Sequence, residues 1–275
     1  MKDTGERHDF NSVIVSETDY YIHLMHLATY NFALKYVKNK RVLDFGCGAG
    51  YGSQVLAREA ASVVAVDISP EAIEYAIKTY PNNNLEFKEL TEFISMDEKF
   101  DVITSFQVIE HVTKVNDYIT KLKNKLKPGG LLIISTPDRS DRLFNIIQKP
   151  WNIFHIREYS DVSLQRFLKK YFHDTNILKI TSHQDFVKHE ILRRKKQRLI
   201  TLPCTLFFYP NFLRIGLLKS QAWLFKKLKQ ILKGNDHLSS SEIPDHSFLN
   251  YTVEDIQISE CPQTSTDLIA VCRLQ

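Results

Sequence analysis

The stretch Val42–Ser53, VLDFGCGAGYGS, constrains the fold more than any other part of the chain. An apolar run ends at Asp44, glycines follow at 46, 48, 50 and 52, and helix-like residues come next. Such a strand, turn and helix lets the backbone come close to a ligand, because glycine adopts left-handed conformations and carries no Cβ. The strict dinucleotide spacing GxGxxG is not met, since Tyr51 stands where the third glycine would be. The pattern present is D-x-G-x-G-x-G over Asp44, Gly46, Gly48 and Gly50.

The alternation of short apolar runs and helical patterns continues along the chain. Strands are predicted at Arg41–Phe45, Ser62–Asp67, Leu85–Lys88, Asp101–Ser105, Leu131–Thr136, Ile177–Ser182 and Leu268–Cys272. Helices are predicted near Asp19–Lys38, Gln54–Glu59, Pro70–Thr79, Lys114–Leu126 and Ser160–Tyr171. Ser69-Pro70-Glu71 is a helix start, and Lys127-Pro128-Gly129-Gly130 a stop before the next strand. The fold class is α/β: a doubly wound, mostly parallel seven-stranded sheet of Rossmann-like type, with a helical basic insertion before the last strand. Residues 1–184 form the core with an N-terminal cap helix, 185–250 the insertion, and 251–275 return a strand to the sheet, with SSSEIPDH (Ser239–His246) as a polar linker.

The net charge of +4 hides an asymmetry. Between Asp185 and Lys233 twelve Lys or Arg face two acids, so this segment carries +10 and the remainder −6. A basic block on an acidic body suits anions such as phosphate or lipid headgroups. Within it, Leu199–Leu218 is apolar for about one bilayer's worth of residues, but Pro203, Pro210 and Arg214 argue against a spanning helix. The insertion reads as a solvated cap, as a lid over an acceptor pocket, or as a membrane-surface element with Leu, Phe and Trp223 opposite Lys226, Lys227 and Lys229. Nucleic acid is not expected, because no stacking or recognition motif accompanies the charge. Cys47, Cys204, Cys261 and Cys272 make no CxxC pair, and no apolar run follows Met1. A reduced, cytoplasmic chain is expected, peripheral to the inner membrane face if the third reading of the insertion holds.

Asp67 ends the second strand seventeen residues after Gly50, where a carboxylate can accept both hydroxyls of a ribose. With the DxGxGxG spacing this turns the expectation from a nicotinamide cofactor to S-adenosylmethionine (SAM). The glycines could also make only a tight turn, with Asp67 capping the helix behind it. The chain resembles class I SAM-dependent methyltransferases over residues 35–184 and the last strand, through VLDFGCGAG, VVAVDIS, FDVITSFQVIEHV and LKPGGLLIISTP in order. The resemblance implies SAM as cofactor and S-adenosylhomocysteine as product. It implies a cofactor site of Asp44, Gly46, Cys47, Gly48 and Gly50 against the methionine part, Asp67 and Ile68 at the ribose, Glu89 and Leu90 beside the adenine, and Ser105, Phe106 and Gln107 near the sulfonium.

Methyl transfer is an in-line attack on an activated carbon, so positioning carries much of the rate and one base suffices for a hydroxyl acceptor. His111 in QVIEHV and His155 in NIFHIREYS are the candidates. His111 could equally pin a helix start, and Arg157 and Glu158 could form an ion pair. The segment Trp151–Ser160 and the opening Thr4–Arg7, TGER, resemble a subgroup linked to glycan modification. That resemblance implies a sugar or glycan-related acceptor, with Arg157 and Tyr159 binding it. The alternatives are a small aromatic or quinone-like acceptor, and a silent SAM-fold binding module. Gln107, Glu110, His111 and His155 echo a metal-binding arrangement of RNA-end methyltransferases, but a glutamine is a poor ligand for a hard ion, and no metal is expected.

Overall fold

The computed structural model describes residues 17–139, 147–182, 185–233, 250–260, 262 and 264–275. The expectations for Thr4–Arg7, Ser239–His246 and Cys261 lie outside the described residues. In chain order the strands are β1 Arg41–Phe45, β2 Ser62–Asp67, β3 Leu85–Glu89, β4 Phe100–Phe106, β5 Leu126–Pro137, β6 Asp174–Thr181, β7 Gln257–Ser259 and β8 Asp267–Arg273. The helices are α1 Glu17–Val37, α2 Tyr51–Ala57, α3 Pro70–Thr79, α4 Leu90–Ser95, α5 Val115–Asn124, α6 Asp161–Leu168, α7 Asp185–Thr201 and α8 Asn211–Lys233. A 3-10 turn at Leu202–Cys204 follows α7.

The strands form one sheet in the order β3-β2-β1-β4-β5-β8-β6-β7. Pairs from β3 through β5 are parallel, while β8 runs antiparallel to both β5 and β6. Among the described residues the sheet thus has eight strands where seven are predicted. The additional β7 is three residues, QIS, pairing antiparallel with β6, and is too short to show a period. Helix α4, six residues, is also absent from the expectation for the same reason. At Leu126–Gly130 the expected stop is instead the start of β5, whose register against β4 shifts between Phe100 and Val102. The proline and glycines make an irregularity within the strand rather than a gap before it.

Central strands are apolar on both faces because helices cover both. Val42, Val63, Ala65, Val102 and Ile133 pack on one face with α1 and α2, through Leu24, Ala33, Val55 and Leu56. Their neighbours Leu43, Val64, Val66, Ile103, Leu132 and Ile134 pack on the other with Ile119, Leu122, Leu164 and Leu168 of α5 and α6. Ser69 caps α3 as predicted, its hydroxyl accepting from the Ala72 N–H at 3.3 Å. The four parallel pairings bring the carboxyl ends of β1, β2, β4 and β5 to one edge, where α/β sheets bind ligands. Among the described residues, no helix is long and apolar enough to cross a membrane.

Candidate active site

A cavity of about 1150 Å³ opens at that edge. Its floor is the turn after β1, its sides are the ends of β2 and β4, and its roof comes from α1, the loop around Trp151–His155, and α7 and α8. Pockets for one drug-sized ligand span roughly 300–1,000 Å³, so this one has room for two molecules side by side.

The floor is made by backbone. Gly48 has φ +54°, and a Cβ added there would meet no protein atom within 4 Å, since that side of the turn faces the cavity. Gly52 is constrained differently: a Cβ would lie 2.0 Å from the Tyr30 ring of α1. The N–H groups of Gly46 and Cys47 both donate to the Val66 carbonyl, at 2.7 and 3.0 Å, which ties the turn to β2. Asp67 is oriented by two backbone donors, Gly48 N at 2.9 Å and Ser69 N at 2.9 Å, and still lines the cavity. Ile68 beside it is 75% exposed at the rim.

Of the twelve residues expected around the cofactor, Gly46, Cys47, Gly48, Asp67, Ile68, Leu90, Phe106 and Gln107 line the cavity. Asp44, Gly50, Glu89 and Ser105 are not in its wall. Asp44 is fully buried and accepts from Ser53 Oγ at 2.7 Å, Thr104 Oγ1 at 2.9 Å and Tyr30 OH at 3.3 Å, so it braces the turn from beneath. Burial pushes its carboxyl up to about 6. Gly50 is the left-handed cap of α2. Ser105 donates to the Phe45 carbonyl and accepts from Tyr118 OH, which joins β4 to β1 and α5. Gln107 is a non-glycine residue at φ +55°, a costly conformation, and its amide donates to Asp267 at 3.1 Å.

Both histidines reach the cavity, with ring centroids 5.0 Å apart and edge to face. His155 Nδ1 lies 3.0 Å from Glu158 Oε1, and its Nε2 lies 3.2 Å from the Asn152 amide nitrogen. A carboxylate at Nδ1 selects the tautomer with the proton there and puts the lone pair on Nε2, where it accepts from the Asn152 amide. His111 Nδ1 is 3.2 Å from the Phe154 carbonyl, which fixes its ring against the same loop. Glu110 lies between them, fully buried, accepting from Thr136 Oγ1 at 3.0 Å through Oε2. Burial pushes it up to about 7 from 4.5. Its protonated form therefore favours the fold, and stability contributed by this group falls as pH rises from about 4.5 to about 7. Glu110, His111 and His155 each offer a ligand atom within 4.8 Å of the others, a group that could also hold a metal ion.

Arg157 and Tyr159 do not line the cavity. Arg157 Nη2 donates to the Thr113 carbonyl at 2.9 Å, and the buried Tyr159 packs against Phe167. The anticipated Arg157–Glu158 pairing gives way to His155–Glu158, an i,i+3 contact legible in the spacing H-I-R-E.

The basic segment completes the roof. Arg194 of α7 donates to Glu190 at 2.7 Å and to the Thr266 carbonyl at 2.8 Å, with Asp267 3.6 Å away, so α7 is tied to the start of β8. Arg214 of α8, 1% exposed, donates to the carbonyls of Pro150, Asn152, Ile153 and His155. It holds the loop that carries His155. We expect Arg214→Met to lower stability by about 3 kcal/mol, since unpaired buried carbonyls cost roughly 1–3 kcal/mol each, read as a shifted urea midpoint. Turnover should fall with it at temperatures where the variant stays folded.

The family model described as "Methyltransferase domain" matches residues 20–180. The ubiquinone biosynthesis O-methyltransferase of Schizosaccharomyces pombe mitochondria is 37% identical over 131 residues, 43% of this chain and 48% of that protein. The ubiquinone biosynthesis O-methyltransferase of Glaesserella parasuis is 31% identical over 184 residues, 62% of this chain and 76% of that protein. The chain spans about half the length of the first, as of most such relatives. A SAM-dependent methyltransferase of Thermotoga maritima shares the fold with a TM-score of 0.53 at 13% identity, covering 94% of this chain and 95% of its own.

Proposed function

The chain belongs to the methyltransferase domain family, and from that premise we propose that it transfers a methyl group from SAM to a hydroxyl of an apolar, quinol- or phenol-like ring. The residues fit the cofactor: the positive-φ glycine turn leaves space above Gly48, and Asp67 faces the same space. Bound SAM supplies a methyl group activated on a sulfonium centre and leaves as S-adenosylhomocysteine. In this reading Asp67 accepts the ribose hydroxyls, Gly46–Gly48 present backbone to the amino-acid end, Ile68 and Leu90 flank the adenine, and Phe106 and Gln107 border the reacting carbon. His155 takes the acceptor proton at Nε2 once the acceptor hydroxyl displaces the Asn152 amide from it, and Glu158 stabilises the resulting imidazolium.

The observation that carries the acceptor class is an apolar group in the roof of the cavity. Ile22, Met25, Trp151, Ile153, Leu218 and Phe225 stand there beside the polar Glu190, Arg193, Gln197 and Arg198 of α7, whereas Arg157, the residue expected to grip a sugar phosphate or carboxylate, is turned away to Thr113. A flat apolar acceptor suits such a lining, packed against the apolar side chains and oriented by the polar ones. The names of the relatives weigh the same way, for a quinone-like acceptor over the sugar or glycan acceptor implied by Trp151–Ser160. The test is S-adenosylhomocysteine release from purified protein and SAM, with prenylated catechols in one series and nucleotide sugars in another. Turnover with the catechols supports the reading; turnover confined to the sugars replaces it with the glycan acceptor.

A further inference from the structure

Helix α8 has two sides, and only one belongs to the cavity. Leu218, Gln221 and Ala222 line the cavity and Phe225 stands at its rim, half exposed. At 100° per residue Phe212, Lys219, Trp223 and Lys226 fall in one stripe on the other side, with Lys227, Leu213 and Leu224 beside it. All seven are exposed, Phe212 by 78% and Trp223 by 62%. Phe207 and Phe208, in the turn before the helix, add two more exposed rings. Isolated surface apolars are ordinary, but an aromatic patch this dense marks a contact site.

Charge decides which partner. From Ile191 to Lys233 the sequence holds eleven Lys or Arg and no acid. Arg194, Arg198 and Arg214 are used inside the protein, while Lys219, Lys226 and Lys227 of α8 are exposed in or beside the stripe. A crown of Phe and Trp flanked by lysines matches an anionic lipid surface: the rings enter the headgroup boundary and the ammonium groups remain among the phosphates. Lys227 Nζ, 5.1 Å from the Trp223 ring, shows the two kinds of group already together. We propose that the exposed face of α8, with Phe207 and Phe208, docks this protein on an anionic bilayer. Leu224, Leu228 and Phe225 carry the apolar surface around the helix from Trp223 to the cavity rim, so a bilayer-dissolved molecule has a path inward without crossing water.

The docking is measured without methyl transfer, so its outcome is separate from that of the acceptor reading. The full chain is sedimented with vesicles of equimolar phosphatidylglycerol and phosphatidylcholine, and with phosphatidylcholine alone. Binding to the anionic vesicles, weakened by salt, is expected, with a blue shift of tryptophan emission that Trp223→Phe removes while Trp151 remains. Replacing Lys219, Lys226 and Lys227 together by Gln should weaken binding about a hundred-fold, about five-fold for each lysine. These positions are exposed, and an unchanged circular dichroism spectrum shows the variant folded. No binding to anionic vesicles at low salt overturns the proposal. So does a dimer in sedimentation velocity that Trp223→Ser dissociates, because the face would then be covered by a second copy.

Discussion

His155→Ala lowers methyl transfer by about a hundred- to ten-thousand-fold, the range for loss of a positioned general base, while SAM affinity measured by calorimetry stays unchanged. Its ring is oriented by the contact of Nδ1 with the buried Glu158. Glu158→Gln should therefore retain binding and lose a smaller part of the rate, because the ring keeps its place while the cation formed on it loses its counter-charge. Full turnover in His155→Ala would pass the role to His111, 5.0 Å away. A chelation arm separates a base from a ligand. Dialysis against EDTA leaves turnover intact if His155 is a base; loss restored by a divalent ion would assign Glu110, His111 and His155 to a metal instead.

Asp67→Ala weakens SAM binding by about a hundred-fold or more. In the proposed binding mode two charge-assisted hydrogen bonds to ribose, each worth roughly 1.5–3 kcal/mol, disappear, and so does the acceptor that fixes the Gly48 N–H. Asp67→Asn is the sharper control, since it keeps the volume and one acceptor while losing the charge. Calorimetry with SAM and S-adenosylhomocysteine reads both. Unchanged affinity in Asp67→Ala would sink the ribose assignment.

The cofactor half of the site was legible because it is local. The turn is written in consecutive residues, Asp67 ends a continuous apolar run, and Phe106 follows directly on the expected fourth strand, so motif and element point to the same place. Asp44 was legible as part of the motif, though its role as a brace needed Ser53, Thr104 and Tyr30, three residues from three other elements. The acceptor half depends on distant pairings. Arg214 and Arg194 count as surface charge in a sequence sum, yet one feeds four loop carbonyls and the other ties α7 to β8. A count of charge cannot tell an arginine that faces solvent from one that replaces solvent for buried carbonyls. Arg157 misled for the converse reason: its neighbours in sequence lie at the cavity, but the i,i+2 step from His155 turns it to the other side.

Strand β8 lies between β5 and β6, pairing along seven residues with each. It also comes after both of them in the chain, with α7 and α8 between. During synthesis the ribosome therefore releases β5 and β6 long before the strand that separates them, and two adjoining edges wait with open N–H and C=O groups. Open edges of this kind invite pairing with a neighbouring nascent chain. Closure is a late, long-range event, slow for the same reason that non-local sheets fold slowly. This chain is thus expected to depend on a holdase chaperone for yield in a way its finished stability would not reveal. Deleting β8, Asp267–Arg273, should raise the fraction of the product that aggregates.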